Sequence, residues 1–146
     1  MITNLHHVAI LTSNIEEAIQ FYTNLLGGQS PRIAEVDRPG VKLKSAMLPI
    51  GPTGDTYLQL IEPSEGPGVA ELERGGEGTL FEVGFQVDDL AGFHDQMDAG
   101  NIRPQGLAGD SIEGKYIESK FGNRYFFLPK DKTRGARLEF VQVINK

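Results

Sequence analysis

One pattern is written twice in this chain, and that repetition limits its possible folds more than any other feature. Val8-Ala9-Ile10 superposes on Val83-Gly84-Phe85, and Ile15 on Leu90, at an offset of 75 residues. Downstream, Met47-Leu48-Pro49 superposes on Phe127-Leu128-Pro129, and Tyr57-Leu58-Gln59-Leu60-Ile61 on Arg137-Leu138-Glu139-Phe140-Val141, at an offset of 80. A unit this small cannot bury both faces of its own sheet. Two copies must therefore join or curl into a cleft.

Within each copy the local periodicities name the elements. His7 to Leu11 reads as a strand. Ile15, Ala18, Ile19, Tyr22, Leu25 and Leu26 then fall at helical spacing, with Asn14 and Glu17 as a capping box and Gly27-Gly28 as the stop. In the second copy Glu82 to Val87 is the strand, Asp88-Asp89 the cap, and Leu90, Phe93 and Met97 the apolar face of a helix ending at Gly100. Three strands follow each helix, their most weakly patterned members being Arg32 to Glu35 and Gln105 to Ala108. The expected fold is α+β, a single domain over residues 1–146 built from two paired βαβββ modules, about 1–62 and 80–146. Residues 63–79, with five Gly and two Pro, read as a linker in which Val69 to Arg74 forms one short helical turn.

Composition removes several function classes. The 146 residues suffice for a core without disulfides or zinc-thiolate staples. With no Cys, thiol chemistry is out. Fourteen basic against twenty acidic residues leave a formal charge of −6, the wrong sign for a nucleic-acid surface. The first residues lack the basic flank of an export signal, and no run approaches a membrane span. The chain is expected to be cytoplasmic, with neither nucleic acid nor membrane as a partner.

The repeat also selects residues. His7 matches Glu82 and Gln59 matches Glu139, and each is a polar group inside an apolar strand. Alternation alone can place such residues on the wet face of a half-buried strand, as with Gln86 and Arg137. Alternatively, the four converge on one divalent cation, each module giving one ligand from its first strand and one from its last. An imidazole, an amide oxygen and two carboxylates neutralise a 2+ ion and leave two octahedral positions open. This donor set suits Mn, Co, Ni, Fe, Mg or Zn.

His7-Val8-Ala9-Ile10, Leu58-Gln59-Leu60-Ile61-Glu62-Pro63, Val83-Gly84-Phe85-Gln86-Val87-Asp88-Asp89-Leu90, and Gly122-Asn123-Arg124 through Leu138-Glu139-Phe140 resemble the vicinal oxygen chelate superfamily of glyoxalase I, bleomycin resistance proteins and dioxygenases. Gly68-Val69-Ala70 and the segment from Phe127-Leu128-Pro129-Lys130 to Leu138-Glu139 look most like the methylmalonyl-CoA epimerase-like and glyoxalase-like members. The resemblance implies a curved, U-shaped mixed sheet around a metal cleft, usually with a homodimer partner. The family's four ligand positions fall on His7, Gln59, Glu82 and Glu139. Epimerases carry His where this chain has Glu82. Some glyoxalase I enzymes use the same four ligand types, permuted among positions. Epimerases also pair the metal-bound Glu with a second carboxylate on the third strand of the first module. Anchoring on Pro49 puts that position at Lys44, and counting from Gly40 puts it at Leu43, neither of them acidic.

A metal holding two vicinal oxygens polarises a carbonyl and stabilises an enediolate, which favours proton transfer at the adjacent carbon. Glu139 is the candidate base, and Lys44 is a candidate for neutralising an anionic substrate group or returning a proton. The expected function is a divalent-metal-dependent isomerase or lyase acting on a small α-carbonyl acid or thioester. A metal-free, ligand-sequestering protein of the bleomycin-resistance type is the alternative. An extradiol-type dioxygenase or fosfomycin-type transferase ranks lower, because both resemble two-His sites and Glu82 removes the second His. His6 and His94 read as packing or surface groups, Asp88 and Asp89 as caps, and Gly75-Gly76-Glu77-Gly78 as a turn. Arg124 and Lys130 are candidates for meeting a phosphate-bearing thioester tail. Substrate choice is expected to sit in Arg32 to Pro39 and Gly109 to Glu118.

Overall fold

A computed structural model of the chain describes residues 1–28 and 30–144. It divides into two compact units, residues 7–81 and residues 1–6 with residues 82 onward. Strand β1 (Ile2–Leu11) takes part in both, its first half in one and its second half in the other.

The unit of residues 7–81 adds α1 (Ile15–Leu25), β2 (Arg32–Arg38), β3 (Val41–Ile50), β4 (Thr56–Glu65) and α2 (Pro67–Gly75). Its strands run in the order β2-β3-β4-β1, antiparallel except for the parallel pair β4 and β1. The apolar stripe of α1 packs on one face, where Ile15, Ala46, Leu48 and Leu60 are buried with Ile10, Ala18, Ile19, Tyr22 and Leu58 against them. Half of the expected capping box forms: Asn14 Oδ1 accepts the Glu17 N–H at 3.1 Å, while the Asn14 N–H donates to Thr12 Oγ1 at 3.2 Å.

The segment expected to be a linker is more ordered than its composition suggests. β4 continues to Glu65, and α2 is a nine-residue helix opened by Pro67 in its first turn. Gly66, at φ +106°, makes the corner, and a Cβ there would lie on the Gly40 carbonyl oxygen. Glu77 ties the end of this segment to the β1–α1 loop, accepting from Ser13 N–H at 2.6 Å and Thr12 Oγ1 at 2.8 Å. The Ser13 hydrogen bond chiefly holds its carboxyl below the ordinary 4.5.

The other unit contains β5 (Leu80–Val87) from Glu82 on, α3 (Leu90–Ala99), β6 (Ile117–Glu118), β7 (Arg124–Phe127) and β8 (Leu138–Gln142). Its strand order is β5-β8-β7-β6, with β5 and β8 parallel. The first half of β1 lies beside β5, with Asp88 N–H donating to the Met1 carbonyl at 3.2 Å. Val87, Leu90, Phe126, Leu128 and Phe140 form the core beneath α3, with Phe93 packed 4.7 Å from Phe140 between ring centroids. Asp89 caps α3 through the Gly92 N–H at 3.0 Å, whereas Asp88 accepts from the terminal ammonium at 2.7 Å.

The strand expected over Gln105 to Ala108 does not form. Gln105 exchanges hydrogen bonds with Phe127, but Gly106 and Gly109 then turn the chain back, leaving an isolated bridge. The second module's first strand after its helix is instead the two-residue β6. Among the described residues no helix is long and apolar enough to cross a membrane.

Candidate metal centre

Strand alternation decides which side chains share a face. In the first unit Leu58 and Leu60 pack under α1, so Gln59 between them faces the other way. Gln59 stands in register with Ala9 on β1 and with Met47 on β3. His7, two residues before Ala9, shares its face. In the second unit Leu138 and Phe140 pack under α3, and Glu139 between them faces away. Glu139 stands in register with Gly84, and Glu82 lies two residues before it. Each unit thus repeats one diagonal: a polar residue on the first strand, a small residue two positions on, and a polar residue across from that on the last strand.

The second diagonal brings two carboxylates together. One oxygen of Glu82 and one of Glu139 lie within 4.8 Å of each other. His7 is 2% exposed and Glu82 4%. Those values do not describe residues on a wet strand face, and buried ionisable groups need partners or a metal.

On the first diagonal, Gln59 Nε2 donates to the buried Ser45 Oγ at 2.9 Å. Its Oε1 is buried and accepts no hydrogen bond. An amide oxygen so placed costs about 1–3 kcal/mol if left unsatisfied. An amide oxygen on the first diagonal and a pair of carboxylates on the second are donor types that a hard or borderline divalent cation takes.

Lys44 is not brought to this face. It stands opposite Glu62 and Glu35, exposed, on the side of β3 that carries Ala46 and Leu48 beneath α1. The β3–β4 register shifts between Lys42 and Leu43, where Ser64 of β4 is the extra residue, and from Leu43 to Ile50 it runs unbroken. Leu43, Ser45 and Met47 are the β3 residues on the Gln59 face, so no carboxylate stands there. Ser45 was missed in the sequence because a serine in a strand carries no motif. Only the register, which puts it in the same facing set as Met47 and Gln59, reveals it.

The remaining polar candidates have local partners. His94 Nδ1 lies 3.3 Å from Asp95 Oδ1, and Lys115 reaches Asp95 Oδ2 at 2.7 Å, holding that carboxyl below its ordinary value. Arg124 lies over the Tyr116 ring at 4.5 Å, and Lys130 opens a short 3-10 turn.

Fold and site define a class: duplicated βαβββ proteins with polar, ligand-type side chains on the sheet face turned away from the helices. A family model described as the glyoxalase/bleomycin resistance protein/dioxygenase superfamily matches residues 6–114. The chain belongs to this superfamily. It is 29% identical over 147 residues to the ethylmalonyl-CoA/methylmalonyl-CoA epimerase of Cereibacter sphaeroides, covering 98% of this chain and 100% of that one. It is 28% identical over 140 residues to the mitochondrial methylmalonyl-CoA epimerase of Mus musculus, covering 94% and 72%. In fold it is similar to the methylmalonyl-CoA epimerase from Mycobacterium tuberculosis, with a TM-score of 0.75, 20% identity, and coverage of 99% and 90%.

Proposed function

We propose that the chain is a divalent-metal-dependent isomerase of the acyl-CoA epimerase or glyoxalase type, moving a proton at the carbon next to a carbonyl. His7, Gln59, Glu82 and Glu139 hold the ion. The single observation carrying this reading is the pairing of two carboxylates, buried Glu82 and half-buried Glu139, with an oxygen of each within 4.8 Å. The unsatisfied Gln59 oxygen supports it. The epimerase names of its relatives support an acyl-CoA thioester as substrate.

When bound, the ion supplies Lewis-acid polarisation of the substrate carbonyl. Glu139, half-buried where Glu82 is fully buried, is the carboxylate that takes the α-proton. The C–H electron pair moves into the carbon–carbonyl bond, and the carbonyl π electrons move onto its oxygen. A proton given back by Glu139 to the same face exchanges the hydrogen with solvent, and inversion takes place when water delivers the proton to the opposite face and Glu139 passes its own proton to solvent. Lys44, on the other side of β3, takes no part in this reading.

Elemental analysis of purified protein and solvent deuterium exchange into acyl-CoA thioesters test the proposal together. The expected result is about one divalent ion per chain and exchange that Glu139→Ala slows about 100- to 10,000-fold. A chain that takes up no ion from Mn, Co, Ni, Zn, Fe or Mg, yet binds a hydrophobic ligand tightly, would overturn it in favour of a sequestering protein.

A further inference from the structure

We infer that Ser45 is a positioning residue that accepts from the Gln59 amide nitrogen and so keeps its oxygen, rather than its nitrogen, available to the cation. The inference rests on the metal site proposed above. Gln59 is the one proposed ligand whose two terminal atoms have opposite character: an oxygen that can ligate and an NH2 whose hydrogens repel a cation. Either orientation fills the same volume, so packing cannot choose between them. The cation selects the oxygen, provided a neighbour can take up the NH2.

Ser45 is that neighbour. It belongs to the facing set of Leu43, Ser45 and Met47, with Met47 in register with Gln59, and it is 5% exposed. Its Oγ accepts from Gln59 Nε2 at 2.9 Å, which leaves Oε1 buried and without a hydrogen bond. The reversed amide would let the hydroxyl donate to Oε1 and turn two N–H donors into the site. Cation binding favours the first arrangement and the Ser45 hydroxyl keeps it available, as outer-shell groups do for metal ligands generally. A carboxylate at position 59 would need no such help, since its two oxygens are equivalent.

That difference separates orientation from mere packing. Mn2+ affinity is measured by isothermal titration for the full chain, for Ser45→Ala, Gln59→Glu and the double variant, and for Glu82→Ala, with melting curves to confirm folding. Ser45→Ala is expected to weaken Mn2+ binding about 10- to 100-fold in the wild-type background. In the Gln59→Glu background the same change should cost less than about threefold, because the flip no longer exists. An equal loss in both backgrounds means that Ser45 only packs, and overturns the inference. So does wild-type-like affinity in Ser45→Ala alongside a large loss in Glu82→Ala, with the metal site standing. A wild-type chain that binds no Mn2+ overturns the site and the inference together.

Discussion

Replacing Glu82 by Gln should stabilise the metal-stripped protein while weakening its hold on metal. Glu82 is almost fully buried, and one of its oxygens lies within 4.8 Å of a Glu139 oxygen. At an effective dielectric constant of about 20, two unit charges 4.8 Å apart repel by about 3.5 kcal/mol. Solvent around the half-buried Glu139 screens part of this. The amide removes the charge at constant shape and should leave a net gain of about 1–2 kcal/mol, roughly 2–8 °C in melting temperature for a chain of this size. With metal the order reverses. At about 100 times its dissociation constant, Mn2+ adds about 2.7 kcal/mol to the wild type. Glu82→Gln, lacking a charged ligand, should gain less than half of that at the same concentration. Thermal unfolding of both proteins, in chelator and in Mn2+, supplies all four numbers. If chelated Glu82→Gln melts below chelated wild type, and Mn2+ raises both equally, the two carboxylates do not repel across a shared cation site and the reasoning fails.

Lys44→Ala should change deuterium exchange and Mn2+ affinity by less than about twofold, as expected of an exposed side chain on the α1 side of the sheet. A loss beyond tenfold in either would return that residue to the reaction. Glu77→Gln should lower the melting temperature at neutral pH. The carboxyl sits below its ordinary 4.5 in the folded chain, so its contribution is fully present above that value and lost as pH falls through the lowered one. The gap between the two melting curves should therefore close in acid, and a gap that widens there would refute the assignment. Phe126→Ala should cost about 3–5 kcal/mol, read from urea unfolding. The ring is fully buried beneath α3, close to Phe93 and Phe140. A cost below about 1 kcal/mol would mean that this core collapses around the void.

What could be read from the sequence, and what could not, divides along one physical line. The repeat exposes α1, α3 and the strands carrying His7, Gln59, Glu82 and Glu139, because period-2 and period-3.6 patterns are printed in side-chain polarity. Both strand-to-helix transitions were legible for the same reason, down to Asn14 and Asp89 as caps. Backbone geometry leaves no comparable print. Strand pairing puts Lys44 with Ala46 and Leu48 on the side of β3 under α1, and sets Ser45 and Met47 facing with Gln59, which a count along the chain from Pro49 does not reveal. Gly106 and Gly109 dissolve an expected strand by turning the chain, and Pro67 after Gly66 builds a helix where a Gly-rich segment reads as linker. Ser45 belongs with these cases. Its role depends on which strand lies beside it and in what register, and a serine looks the same in any of them. Ligand types survive in a sequence because chemistry restricts them, whereas the residues that aim those ligands emerge only when the strands are paired.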